Sequence, residues 1–384
     1  MRICRRTPPQ GPTLTVVGAD VSLALVAPDK FRGTVTATEA SAAMGRGASA
    51  SGWAVHQRPL ADGGEGFLDV LEAVSTGRGT AEVTGPLGRP VRAGWIRVGN
   101  LAIVEMAQAS GLALVGGATG NDAVAASSRG TGELIVAAAR ALSEAAPKPH
   151  GSAAEVTGTE TGGWGSTPTV VVGLGGSATT DGGLGALNAI EEAGGLAGTE
   201  LVGACDVDVD FLEAARQFSP QKGADAAQVI ELEVRLRRVA EQFEDRFGVD
   251  VLTVEGAGSA GGLGGAIVAL GGRLRSGYAV VSELLGVHAE LTRCQLVVTG
   301  EGALDSTSFA GKVVGSLLRD ASACGVRALV IAGRTTPGAV EAANRFGAQV
   351  VSLSEVFGQK RALRDTATCI ETAVADAVGS AGPA

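Results

Sequence analysis

The chain has 384 residues, with 40 acidic against 31 basic side chains and a formal net charge of −9. At 45% hydrophobic it holds too much apolar material for a disordered acidic chain, and it lacks the basic footprint that displaces counterions from nucleic acid. Five scattered cysteines, an odd number with no CxxC pair, speak against a disulfide framework or a zinc site and for a reducing cytoplasm, and no apolar run approaches the roughly 18 residues of a membrane span.

Residues 1–20 read as a flexible tail. The apolar run 22–27, ended by Pro28, suits a strand buried on both faces. A loop at 29–33 follows. Thr36 and Glu39 then form a capping box that opens a helix running to about residue 50. A second strand is expected over 53–58, a loop over 61–66 and a helix over 67–74. Strand–loop–helix twice over is the signature of a parallel α/β sheet. The texture changes near residue 80. Short strands at 80–84, 91–98 and 101–106 are joined by turn signals at 85–88 and 99–100, which predicts antiparallel pairs. A helix at 130–143 is followed by a Gly/Thr/Ser/Pro-rich stretch, 145–168, read as a flexible surface insertion. A strand at 169–173, a glycine loop at 175–183 and a helix to about 192 come next. The long amphipathic helix 225–246 carries the densest charge and reads as an outer face. From about 290 the alternation returns: strand 295–299, a loop, helix 312–323, strand 328–332, helix 337–346, strand 348–353 and helix 361–378. The expected fold is therefore α/β with two domains. A discontinuous, doubly wound, Rossmann-like parallel sheet (21–79 plus 275–384) would carry an inserted α+β domain (80–274).

Four segments carry candidate chemistry. In Val170-Val-Val-Gly-Leu-Gly-Gly-Ser-Ala-Thr-Thr-Asp-Gly-Gly183 a buried strand delivers a glycine loop to a helix start, where amides and the helix dipole suit an anion. Gly175, Gly176, Ser177 and Thr179 are the phosphate candidates, and Asp181 could hold Mg²⁺ or take a proton. Lys30 and Arg32, just past the first strand, could clamp a carboxylate or phosphate. Asp62 and Glu65 follow the second strand and offer an acidic loop facing the basic one. Glu301 and Asp305 follow a third strand and could hold Mg²⁺ or orient a hydroxyl, with Lys312 to neutralise phosphate; Lys222 is a further cation. Gly256-Ala-Gly-Ser-Ala-Gly261 matches GxGxxG, but no acid is clearly placed after a second strand. Close packing of a helix start is the better reading there.

These segments resemble the bacterial glycerate kinase family, the class related to glycerate 2-kinases. The resemblance rests on Ala27-Pro-Asp-Lys-Phe-Arg-Gly33, Ala61-Asp-Gly-Gly-Glu-Gly66, the glycine loop, Pro220-Gln-Lys-Gly223, Thr299-Gly-Glu-Gly302 and further motifs in order over about residues 22–355. It implies ATP-dependent, Mg²⁺-assisted phosphorylation of D-glycerate to 2-phosphoglycerate or 3-phosphoglycerate, in a cleft between two α/β domains. The implied roles are catalysis by Asp62, Asp181 and Glu301, metal binding by Asp181, substrate binding by Lys30, Arg32, Lys222, Asp305 and Lys312, and ATP binding by Gly175, Gly176, Ser177 and Thr179. No nucleic acid or membrane partner is implied, the setting is cytoplasmic, and a homodimer is allowed. Two departures stand out. Cys205-Asp-Val207 is followed by a shorter stretch without the family's glycines and proline, and Ala303 stands where arginine is common. A kinase of GHMP type, whose glycine loop looks similar, and a non-catalytic hydroxy-acid sensor remain the alternatives.

Overall fold

The computed structural model describes residues 22–145, 164–206 and 208–379. The tail at 1–20 and positions 146–163 of the expected insertion lie outside the described residues. In chain order the strands are β1 (Leu23–Val26), β2 (Ala54–Gln57), β3 (Gly77–Thr84), β4 (Pro90–Val98), β5 (Leu101–Glu105), β6 (Thr169–Gly173), β7 (Glu200–Ala204), β8 (Arg273–Arg275), β9 (Leu296–Leu304), β10 (Arg327–Thr335) and β11 (Ala348–Ser352). They form two sheets. One is all parallel, ordered β11-β10-β9-β1-β2; the other is ordered β3-β4-β5-β6-β7-β8. In the second sheet β3, β4 and β5 pair antiparallel, and β5 to β8 pair parallel. Strand β5, apolar up to its last residue Glu105, is buried at every position, as a strand covered on both faces must be.

Local sequence explains most element starts. Helix Ala37–Ala50 begins at the expected capping box: Glu39 N–H donates to Thr36 Oγ1 (3.1 Å) and Thr36 N–H to Glu39 Oε2 (2.8 Å). Helix Ala226–Phe247 opens on a second box, Asp225 with Gln228, and buries Leu232, Leu236, Val239 and Phe243, one stripe at helical spacing. The expected helix 361–378 is instead two, Gln359–Arg364 and Thr366–Gly379, broken at Asp365. The expected loop after residue 299 is instead the outer half of β9. Glu301 pairs with Ala332 and Leu304 with Thr335, because β9 and β10 both run past the end of β1. Among the described residues no helix is long and apolar enough to cross a membrane.

The two sheets share a core. Leu25 and Val297 of the first sheet and Ile103, Val171 and Val202 of the second belong to one buried cluster. Phe67 and Leu71 of helix Phe67–Leu71, and Val280 and Val281 of helix Gly277–Leu284, lie in the same cluster. These two helices flank the chain's two passages between the sheets, so the strand ends of both sheets are held against a common layer.

Candidate active site

In the first sheet β1 lies between β9 and β2, and successive connections leave it in opposite directions. That makes a crevice at its carboxyl end, where open α/β sheets bind ligands. Asp29 and Lys30 leave β1 at this point. Lys30 Nζ lies 3.8 Å from Asp29 Oδ1 and 3.5 Å from Asp62 Oδ1, the latter on the loop after β2. Asp62 Oδ1 also accepts the Gly64 N–H at 3.0 Å.

The Asp62 loop is seated on the second sheet. Gly63 has φ +82°, and a Cβ there would stand 2.3 Å from the Ala204 carbonyl oxygen at the end of β7. A Cβ on Gly175, past β6, would stand 2.2 Å from Gly64 Cα. Glu105, at the end of β5, accepts the Gly66 N–H at 3.3 Å; burial pushes its carboxyl up to about 7 against its backbone donors. Phe67 is fully buried and anchors the far end of the loop. Strand ends of both sheets thus meet at Asp62.

The glycine turn presents its tip to this meeting point. Gly175 is half-buried, and Gly176 is exposed with φ +70°. Ser110 and Leu112 hold the turn from below, through Ala178 N–H to Ser110 O (2.9 Å) and Leu112 N–H to Gly176 O (2.9 Å). Among the described residues the N–H groups of Gly175, Gly176 and Ser177 find no acceptor. Successive free amides with one residue left-handed make an anion nest.

The rest of the glycine segment turns inward. Thr179 is fully buried with its Oγ1 unpartnered, and its carbonyl accepts Lys222 Nζ at 2.6 Å. Burial pushes the Lys222 ammonium down to about 7. Asp181 accepts Ser128 N–H and Oγ–H, both at 2.8 Å, and the N–H groups of Gly183 (3.1 Å) and Gly185 (3.3 Å). Its oxygens tie the starts of helices Arg129–Ala145 and Leu184–Glu192 together. Thr179, Asp181 and Lys222 are therefore a buried polar network behind the turn, where the sequence suggested ligand contacts. The GxGxxG segment packs on the same network: a Cβ on Gly261 would stand 1.9 Å from the Thr179 carbonyl oxygen.

On the first-sheet side, Glu301 projects from the β9 overhang. Its Oε1 is buried without a partner, and burial pushes the carboxyl up to about 7, opposed by Ser308. Asp305 instead caps the turn Ser306–Phe309, accepting Thr307 N–H at 2.8 Å and Thr307 Oγ1–H at 2.7 Å; the Thr307 hydroxyl holds it below the ordinary carboxylate range. Lys312 Nζ donates to the same Thr307 hydroxyl at 2.8 Å. Arg32, with Lys30, Leu60, Glu65 and Asp69, lines a cavity of about 220 Å³ between the β1 loop and helix Phe67–Leu71. That is below the roughly 300 Å³ at which drug-sized pockets begin, and suits a ligand of few carbons.

Two acids that sequence reasoning did not single out complete the crevice. Asp29 is pushed up to about 6 by burial, opposed by Lys30. Asp206, past β7, is pushed up to about 7 by burial, although it accepts Ser276 Oγ–H at 2.7 Å and Gly277 N–H at 2.8 Å. Each lies within three residues of a strand's carboxyl end, the signal that could have found them. Burial alone would raise Asp62 too, but Lys30 and the Gly64 N–H outweigh it and hold that carboxyl below its ordinary value. Burial would lower Lys30, yet Asp29 and Asp62 hold it above. The site therefore combines a cation shared by two carboxylates, free amides, and carboxyls that burial holds above the ordinary carboxylate range.

A family model described as "Glycerate kinase family" matches residues 24–194 and 193–380. A Mycobacterium tuberculosis protein is 38% identical over 380 residues, covering 94% of this chain and 92% of its own length. The Escherichia coli glycerate 2-kinase is 36% identical over 329 residues, covering 75% and 79%. A crystal structure from Salmonella typhimurium LT2, provisionally assigned as glycerate kinase 2, superposes with TM-score 0.70 at 26% identity, covering 94% of this chain and 98% of that one.

Proposed function

This chain belongs to the glycerate kinase family, and on that footing we propose that it phosphorylates D-glycerate with ATP and Mg²⁺, giving 2-phosphoglycerate. The observation that carries the proposal is the set of acceptor-free amides at Gly175, Gly176 and Ser177, held against the Asp62 loop and its Lys30 partner. Phosphoryl transfer asks for alignment and charge neutralisation more than for covalent help from the protein. The amides receive the ATP phosphates. Lys30 stands opposite as a compact positive charge for the transferred group. Arg32 reaches the glycerate carboxylate in the small cavity, and Lys312 adds positive charge beside Glu301. Glu301 takes the proton from the 2-hydroxyl; a carboxyl near 7 is matched to that task. The name of the Escherichia coli relative supports the 2-position over the 3-position.

The residues present fit Mg²⁺. Among the described residues no three carboxylate, histidine or cysteine side chains converge on one point. Mg²⁺ needs only one or two protein carboxylates when phosphates and water complete its shell. Asp62 and Asp206 offer such oxygens beside the glycine turn, and Asp206, raised by burial, gains its charge as a cation arrives. Bound there, Mg²⁺ would neutralise phosphate charge. The cytoplasm, where ATP is present and thiols stay reduced, is the proposed setting.

The test is product identification by NMR after incubation with ATP, Mg²⁺ and D-glycerate. A phosphorus–proton coupling to the C2 proton is expected. Coupling to the C3 protons would move the product to 3-phosphoglycerate. No ester at all, with glycerate still raising the melting temperature, would favour the sensor. A panel of other alcohols turned over faster than glycerate would favour a GHMP-type kinase.

In this account Asp181 supports the fold. Asp181→Asn puts an amide N–H₂ against N–H donors, so melting is expected to report a loss of about 2–3 kcal/mol. Turnover per folded molecule should stay within about threefold, well short of the roughly hundredfold loss of a general base.

A further inference from the structure

The Asp62–Gly63 peptide touches a second glycine far away in sequence. Gly277 is the first residue of helix Gly277–Leu284 and is buried. A Cβ there would stand 2.4 Å from both the carbonyl carbon and the oxygen of Asp62, and 2.5 Å from Gly63 N. Real Cβ atoms do not approach backbone this closely, so any side chain at 277 must displace the peptide. The Gly277 N–H also donates to Asp206 Oδ1 at 2.8 Å. One residue therefore abuts the backbone of one crevice carboxylate and binds the side chain of another. From the opposite side Gly175 presses on Gly64, and Gly173 would meet Gly63 O at 2.7 Å if it had a Cβ. The loop is clamped backbone to backbone. Gly277 is not among the residues with positive φ, so conformation does not demand glycine there; only space does.

We propose that Gly277 is a positioning residue for phosphoryl transfer: its missing side chain lets the Asp62–Gly63 peptide seat against the helix start, which keeps Asp62, Asp206 and Lys30 in register. The inference rests on the proposed function for its catalytic half and on geometry alone for the seating. Alanine is a better helix former than glycine. Without this contact Gly277→Ala would be neutral or stabilising; with it, the Asp62 loop moves.

The experiment compares full-length wild type, Gly277→Ala and the control Gly338→Ala, whose Cβ would meet nothing within 4 Å. Two readouts are taken: steady-state phosphorylation of D-glycerate, and hydrogen–deuterium exchange of peptides spanning 61–66 without ligands. For Gly277→Ala we expect kcat to fall about thirtyfold or more, KM for glycerate to change less than threefold, and exchange at 61–66 to rise about tenfold as Gly64 N–H loses its Asp62 partner. Gly338→Ala should match wild type in both. Unchanged exchange in a folded Gly277→Ala overturns the seating. Faster exchange with unchanged kcat overturns the role in catalysis. A wild type that makes no phosphoglycerate refutes the functional reading and the catalytic half, while exchange still decides the seating. Should Gly277→Ala not fold, Gly175→Ala presses on the same loop from the other side. It must show the same faster exchange at 61–66, or the clamp is refuted.

Discussion

Glu301→Gln is expected to lower turnover by about 10²–10⁴-fold, the scale of a lost general base. The amide keeps the shape of the side chain on the β9 overhang, so folding should survive. It cannot accept the hydroxyl proton. The pH profile separates this from a packing effect. In the wild type, kcat/KM should rise with pH through about 7, because Glu301 must lose its proton to act and burial holds its carboxyl there. In the variant that limb should vanish, leaving a low and flat profile. A variant that keeps both its rate and its acid limb would remove Glu301 from the role of base.

Lys30→Met should cost both rate and stability. Lys30 is the cation that Asp29 and Asp62 share at 3.8 and 3.5 Å. Loss of one preorganised charge facing the transferred phosphoryl group should lower turnover by about 10²–10³-fold. Loss of the shared partner leaves two crowded carboxylates behind, which should destabilise by about 2–3 kcal/mol, less than a fully buried broken pair because both side chains keep some exposure. The pH dependence has a definite sign. Asp62 now sits below its ordinary value and stabilises the fold once ionised. Without Lys30 burial lifts both carboxyls, so the native state binds more protons than the unfolded chain above pH 4, and stability falls as pH rises through that window. The variant should lose more at pH 8 than at pH 5 in thermal melts. Adding Asp29→Asn should return stability and leave turnover low.

Much of the fold is legible because its signals are local. Pro28 ends β1, the Thr36–Glu39 box opens its helix, and the turns at 85–88 and 99–100 give the antiparallel run of β3 to β5. What was not legible is non-local or short. The strands β7 and β8 are only five and three residues long and lie amid glycine and arginine, with no clear period. Glu301 looked like a loop residue because its glycine neighbours suggest a turn; those glycines instead let β9 run on beside β10 and close to the Arg32 backbone. Within the site, Lys30, Arg32, Asp62, Gly175 and Gly176, picked out by their places past strand ends, do lie on loops that leave the ends of β1, β2 and β6, whereas Glu301 lies within β9. Asp181 and Thr179 carry the same residue-level signal but fall one turn later, where the chain dives under Gly261. No spacing rule tells those two cases apart. The contacts that separate them are non-local: Thr179 meets Lys222 at 43 positions and Asp181 meets Ser128 at 53.

The central claim is that the turn at Gly175, Gly176 and Ser177 receives the ATP phosphates opposite Lys30. A crystal structure with a non-hydrolysable ATP analogue, Mg²⁺ and D-glycerate tests it most directly. The account predicts phosphate oxygens within hydrogen-bond distance of those three amides, with the acceptor hydroxyl between Lys30 and Glu301. Nucleotide bound elsewhere, with the three amides facing only water, would contradict it.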